Sequence, residues 1–185
     1  MHDSAPDYET RIAHERAAKA AFFRTSPHSP IPAADRAGFD GVAYYPVDPA
    51  MRFDGLRLQR QIGDEPAEFQ IATSDGAFRT ARRLGTLSFV AGGQPRTLAT
   101  YELGHSDGSL FVPFLDATSG AETYGAGRYL DVEPEPDGRY VLDFNAAYHP
   151  YCAYAPDHSC PLTPTENRLP DRIEAGERPA TAGVR

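Results

Sequence analysis

Lysine is nearly missing from this chain: Lys19 stands alone against seventeen arginines. Tryptophan is absent, and only two cysteines, Cys152 and Cys160, occur among 185 residues. Each shortage excludes something. Two thiols cannot frame a disulfide scaffold. No apolar run reaches the roughly 18 residues that a membrane-spanning helix needs. Met1 to Asp7 is polar and acidic with no apolar stretch behind it, so no signal peptide is expected and a cytoplasmic protein is the default reading. Positive charge is short overall: 18 Lys and Arg against 26 Asp and Glu leave a net charge of −8. Phosphate backbones need a basic face, so nucleic acid is not an expected partner, and neither is a membrane. The arginine excess over lysine is read as genomic composition rather than as a functional choice.

What is abundant is punctuation. Seventeen prolines and sixteen glycines point to many turns and few long helices. The length suits one domain with a core of its own. Residues 7–24 carry the one helical pattern: Tyr8, Ile12, Ala20 and Phe23 fall near one face, with Arg11, Glu15 and Lys19 on the other side. Ser4 followed by Asp7 resembles a capping box, and the prolines of Thr25–Pro32 stop the helix, because proline cannot continue one. Such a helix is expected to lie across a sheet edge or barrel mouth.

Over residues 39–146 the period changes to two. Strands are expected at 52–58, 68–72, 85–90, 97–103, 109–115, 127–132 and 139–145. Ser74-Asp-Gly76, Gly92-Gly93, Ser106-Asp-Gly108 and Pro136-Asp-Gly138 mark the turns between them. The expected fold is therefore mainly β, an antiparallel sandwich or partly open barrel with one N-terminal α-helix. Residues 147–177 are proline-rich, yet Tyr148, Tyr151, Tyr154 and Leu162 are apolar enough to hold them as an ordered strap on the body. Residues 178–185 have few anchors and read as a disordered tail.

Three long motifs occur in order. Phe114-Leu-Asp-Ala-Thr-Ser-Gly-Ala-Glu-Thr-Tyr-Gly-Ala-Gly-Arg-Tyr-Leu-Asp131 is followed by Asp143-Phe-Asn-Ala-Ala-Tyr-His-Pro-Tyr-Cys-Ala-Tyr154, then by Cys160-Pro-Leu-Thr-Pro-Thr-Glu-Asn-Arg-Leu169 with Ala175-Gly-Glu177. Together they resemble an uncharacterised prokaryotic family, domain of unknown function 1684, over roughly residues 8–179. The resemblance implies membership and no activity. The family pattern commonly has asparagine where this chain has His149, which counts against a role that depends on that imidazole.

The segment Thr118–Leu130 is the densest in polar groups. Gly125 and Gly127 permit a close backbone approach, Arg128 supplies a five-donor fork, and Thr118, Ser119 and Thr123 add hydroxyls beside Tyr124. These residues, with Asp143 and Asn145, form the candidate ligand site. Its expected occupant is a small anionic or polyol molecule held in a cleft made by the TSGAETYGAGRYL and DFN segments. The plainer reading is a tight turn in which Arg128 pairs with Asp116 or Asp143. On a strand Asp143 and Asn145 share a face, with Phe144 opposite; they either line the cleft or anchor the next loop. Asp131 is their neighbour in sequence, and paired carboxylates could serve acid–base chemistry or hold a hard cation. A small hydrolase or lyase using Asp116 or Asp143 as base is thus one alternative, and a structural or interaction module without a ligand is another. No phosphate loop, GxSxG elbow, HExxH or dinucleotide fingerprint occurs.

His149, Cys152, His158 and Cys160 offer the ligand types of a zinc site but not its usual spacing. Two reduced, packed cysteines lying near each other are expected, with a disulfide or zinc as alternatives and otherwise no cofactor. Catalysis, ligand identity and oligomeric state stay open at this level.

Overall fold

The structure is a computed structural model describing residues 5–60, 68–104 and 108–179. Helix α1 runs Ala5–Thr25. Its C-terminal turn is closed by Thr25 Oγ1, which donates to the Ala21 carbonyl at 2.9 Å, and by the Ser26 amide, which donates to Phe22 at 2.9 Å, before Pro27 breaks the pattern. Tyr8, Ile12 and Phe23 are buried as the periodicity predicts. The expected cap at Ser4 lies outside the described residues.

Nine strands follow among the described residues: β1 Ala43–Tyr44, β2 Arg52–Leu56, β3 Glu68–Ala72, β4 Phe78–Ala91, β5 Gln94–Glu102, β6 Leu110–Phe114, β7 Arg128–Val132, β8 Tyr140–Asp143 and β9 Glu177–Arg178. Strands β3 to β7 form one antiparallel sheet in sequence order, while β2 pairs with β8 and β1 with β9. Two isolated antiparallel bridges tie the β2–β8 pair to the large sheet, Pro134 with Tyr140 after β7 and Gln59 with Thr86 on β4. The circuit β4-β5-β6-β7-β8-β2 thereby returns to β4. It is a partly open barrel, its seams held by single bridges rather than full ladders. Closing the sheet this way limits exposed strand edges.

Strand β4 is longer than expected, starting at Phe78 instead of Gly85. Its first half pairs with β3 and its second half lies at the closure with Gln59, and the register with β5 shifts between Arg83 and Gly85. Gly85 sits where the Gln59 backbone crosses. A Cβ there would collide with the Gln59 carbonyl, so the closure requires glycine. Strands β1 and β9, which have only two residues each, carry no periodic signal and were not expected. Phe144 and Asn145, expected in the last strand, form a short 3₁₀ turn instead.

The main core fills the barrel: Leu87, Phe89, Leu98, Leu110, Val112, Phe114, Leu130, Leu142 and Phe144, joined by Leu169, Ile173 and Ala175 of the strap. The strap packs into this core and does more than cover. Strands β5 and β6 pair at one position, Tyr101 with Phe111. In the gap beyond, the Asn167 side chain accepts from the Ala99 amide at 2.7 Å and donates to the carbonyls of Ala99 at 2.8 Å and Pro113 at 2.7 Å. Pro113 has no N–H to offer a neighbouring strand, and a buried side-chain amide completes the ladder in its place. Arg178, the first residue of the expected tail, pairs with Ala43; residues 180–185 lie outside the described residues.

Candidate functional site

Strand β7 separates two environments. Arg128, Leu130 and Val132 are buried on its inner side, whereas Tyr129 and Asp131 point outward. The motif Thr118–Leu130 therefore delivers its polar groups to one side of the wall and its aromatic residue to the other.

On the inner side nearly every candidate donor is occupied by protein. Arg128 is fully buried, with 0% of its surface exposed. Its guanidinium donates to the carbonyls of Ala175, of Ile173 at 2.8 Å and of Glu177 at 3.3 Å, lies 3.4 Å from Asp116 Oδ1, and stacks 5.1 Å above the Phe114 ring. Only its Nε lacks a partner. Asp116 in turn accepts from the Thr118 hydroxyl at 2.8 Å, the Ser119 hydroxyl at 3.1 Å and the Ile173 amide at 2.8 Å. Thr118 and Thr123 share a hydroxyl contact of 3.0 Å. Gly127 makes the turn at φ +102°, where an added Cβ would come within 2.5 Å of Thr163 Oγ1. Sequence reasoning aimed Arg128, Thr118, Ser119 and Thr123 at a ligand. The structure brings them together around Asp116 and the strap, in a network that the plainer reading described.

The DFN segment is a second anchor. Asp143 accepts from the Tyr8 hydroxyl at 2.8 Å and from the Asn145 amide at 3.0 Å, and faces Arg52 at 3.5 Å. Asn145 accepts from the Asp48 amide at 2.8 Å and donates to the Asp48 carbonyl at 2.8 Å and the Tyr8 hydroxyl at 3.0 Å. Helix α1 is thus pinned to the barrel through Tyr8. The contacts with Asp143 and its burial both hold the Tyr8 hydroxyl far above its ordinary pKa, burial being the larger cause. Asn145 borders a recess of about 190 Å³ beside Arg16, Tyr44 and Glu177. Asp143 and Arg128 lie apart, each in its own network.

The large cavity lies on the outer side of β7, with a volume of about 710 Å³. Tyr101, Phe111 and Tyr129 form an aromatic surface on the outside of β5–β7, with Phe111 and Tyr129 edge to face at 4.8 Å. Helix α1 and the strap pass over this surface without filling the space between. The helix supplies Ala18, Lys19, Phe22 and Phe23; the strap supplies Tyr148, Pro150, Tyr151 and the run from His158 to Pro161; Arg79 and Asp131 stand at the edges. Lys19, read as sharing a side with Arg11 and Glu15, turns toward the strap. Its ammonium lies 4.8 Å from the Tyr148 ring centre and 2.5 Å from Oε1 of the buried Glu177. Arg79 is exposed and makes one hydrogen bond, to the Ser159 carbonyl at 3.4 Å, with no carboxylate partner among the described residues. The Tyr148 hydroxyl donates to Asp131 at 2.7 Å, and burial raises its pKa far above the ordinary value. Burial does the same to Tyr129, whose hydroxyl donates to the Pro161 carbonyl. Both phenols stay protonated at neutral pH and offer no base.

The four residues of the zinc alternative divide. His149 is buried; its Nε2 accepts from the Tyr124 amide at 3.3 Å while its Nδ1 faces Glu177 at 3.7 Å. Burial, then the charges of Arg128 and Lys19, hold its pKa down to about 3. His158 instead lines the cavity, with Tyr151 edge-on at 5.4 Å. Cys152 and Cys160 are free thiols in contact: the Cys152 amide donates to Cys160 Sγ at 3.3 Å. Among the described residues no group of three or more His, Cys, Asp or Glu is placed to hold a metal ion. Tyr124 stands apart from the Arg128 network, its hydroxyl 3.7 Å from Cys152 Sγ.

The cavity residues on α1 and β6, and Arg79, were missed by the sequence reading. The available signal was large apolar or aromatic residues at successive strand positions, as in Tyr129 and Leu130 or Leu110 and Phe111, which means both faces of a strand are covered.

Comparison with known proteins places this arrangement in a family without supplying a role. An uncharacterized protein of Haloarcula marismortui, solved by solution NMR, is 37% identical over 94% of this chain and 95% of its own, with a TM-score of 0.70. No curated protein matches the chain significantly. The profile described as "Protein of unknown function (DUF1684)" matches residues 37–178, and the chain belongs to that family.

Proposed function

We propose that the protein binds a small molecule with a flat apolar body and one anionic group in the outer cleft between helix α1, the strap and strands β6–β7. The observation that carries this reading is a preformed cavity of about 710 Å³ walled by phenylalanine and tyrosine rings, with Arg79 at its edge and no carboxylate beside that guanidinium among the described residues. That volume is typical of ligand sites, which are largely apolar with a few orienting polar groups. Rings at the wall favour a planar body, and Arg79 offers a fork for a carboxylate or phosphate. A polyol would need many convergent donors and acceptors, and here Tyr129, Tyr148 and Lys19 already have partners. A base at Asp116 or Asp143 has little support, because both carboxylates are engaged by protein donors away from the cleft.

Native mass spectrometry of freshly purified protein, followed by NMR titration with benzoate and phenyl phosphate, tests the reading. Shifts at Phe22, Phe111 and Tyr148, weakened at least about tenfold by Arg79→Ala, are expected. Shifts spread over the surface, or affinity unchanged by that variant, would refute it.

A further inference from the structure

The strap holds one feature that ligand binding in the cleft does not use. Cys152 sits in the 3₁₀ turn Tyr151–Ala153 and Cys160 returns seven intervening residues later. Both positions are fixed by hydrogen bonds. The Cys160 amide donates to Ser74 Oγ at 3.1 Å, the Ser74 amide donates to the Cys160 carbonyl at 2.8 Å, and Ser74 Oγ donates to the His158 carbonyl at 2.9 Å. The hairpin turn after β3 thus clamps one thiol against the other. The sulphur of Cys152 is approached by the Tyr124 hydroxyl at 3.7 Å, and the sulphur of Cys160 by the Cys152 amide at 3.3 Å. Cys152 is half-exposed; Cys160 is buried and forms part of the cleft wall.

We propose that Cys152 and Cys160 form a hydroperoxide-reactive thiol pair, with Cys152 the attacking sulphur and Cys160 the one that resolves it to an intramolecular disulfide. Three features select this chemistry over inert packing. The Cys160 sulphur lies 3.3 Å from the Cys152 amide, the more accessible thiol has a hydroxyl donor to stabilise negative charge, and the loop joining the two residues is short and carries Pro156 at its bend. The Cys160 thiol and the Tyr124 hydroxyl, by donating to the Cys152 sulphur, hold its pKa down to about 6, while the same contact pushes Cys160 up. Cys152 therefore loses its proton first and Cys160 keeps its own. A thiolate, not a thiol, is the nucleophile toward peroxide.

The steps balance. The Cys152 thiolate attacks the terminal oxygen of a hydroperoxide ROOH; the O–O bond breaks, and the departing alkoxide takes a proton from water to give ROH and Cys152 sulfenic acid. The Cys160 sulphur then attacks the Cys152 sulphur. An S–S bond forms, the S–O bond breaks, and the leaving hydroxide takes the Cys160 proton as water. Two thiols and ROOH become one disulfide, ROH and water. The bond would lie in the cleft wall, next to His158, so oxidation state and cleft shape are linked.

The test uses the full chain, reduced and then exposed to hydrogen peroxide at neutral pH. Intact mass should fall by two hydrogens without dimer formation, and peptide mapping should join Cys152 to Cys160. Under limiting peroxide with dimedone present, the adduct should form on Cys152 at least about tenfold faster than on Cys160. Cys160→Ser should accumulate the Cys152 adduct, and Cys152→Ser should give none. The parent protein alone decides the matter if either variant fails to fold. No mass loss in excess peroxide, an intermolecular disulfide, or dimedone on Cys160 first would each overturn the proposal. None of these readouts depends on a cleft ligand, so the two proposals fail separately.

Discussion

Two neighbourhoods lie back to back across strand β7, the Asp116–Arg128 network inside and the aromatic cleft outside. The inner one is dense in hydroxyls, glycine and charge, and almost every polar atom in it has a protein partner. The outer one is mostly ring surface and leaves about 710 Å³ open. In the sequence the first looks like a binding site and the second like core. In the structure the polar groups of the first are engaged by protein, because a buried polar group is tolerated only when its partners are supplied. The cleft proposed for the ligand is open apolar surface beside Arg79, which has no carboxylate partner among the described residues.

The comparison breaks most sharply at Arg128. If the inner network is architecture, Arg128→Met should lower stability by about 3–5 kcal/mol, since it leaves Asp116 buried without its counter-charge and the strap carbonyls without the guanidinium donors. Chemical denaturation checks this, and the cysteine pair and cleft serve as controls: the folded fraction should still bind the cleft probes. Loss of probe binding at unchanged stability would return Arg128 to the ligand site.

A smaller effect is expected from pH, and it sharpens the same boundary. His149 has a folded-state pKa of about 3 against 6.5 for the free group, so it is neutral when buried. Above pH 6.5 neither state binds the proton and the full stability is present. Below it the unfolded chain takes up a proton that the folded one refuses. Stability should therefore fall by about 1.4 kcal/mol per pH unit from 6.5 down toward 3. The difference between parent and His149→Asn, followed by urea denaturation from pH 7 to 4, isolates that slope from the carboxylates. Parallel curves for the two proteins would show that His149 is not held neutral.

The smallest change in stability belongs to the cleft. Phe22 is 39% exposed and lines the cavity from helix α1. Phe22→Ala should alter stability by less than about 1 kcal/mol, as surface changes do, yet weaken the benzoate or phenyl phosphate titration severalfold. A large loss of stability would mean the cleft is core after all.

Much of the fold was legible. Helix 7–24 was found within two residues at its start and one at its end, and strand 68–72 matched at both ends. Their signals are local, a 3.6 period and a 2.0 period bounded by proline, glycine and Asp-Gly turns. The extra length of β4 was not legible, because Phe78–Ala81 is largely exposed and has strand form through pairing with β3, a partner given by the tertiary structure. Lys19 was noticed for its rarity and grouped with Arg11 and Glu15, and its contact with Glu177 was not legible because that partner lies far away in sequence. The cysteine pair was expected to be close, and it is.

By itself, then, the sequence determined the element types, most of their limits, the mainly β class and the ordered strap, all of which follow from neighbouring residues and their periodicity. Tertiary structure alone decided that the sheet closes through bridges at Gln59 and Pro134, and that Arg128 faces inward to meet Ile173 and Ala175 more than forty positions later. It also decided that Tyr129, one residue on, faces an open cleft. Adjacent residues on a strand point to opposite faces whatever their chemistry, and which face becomes core depends on the distant segment that packs there.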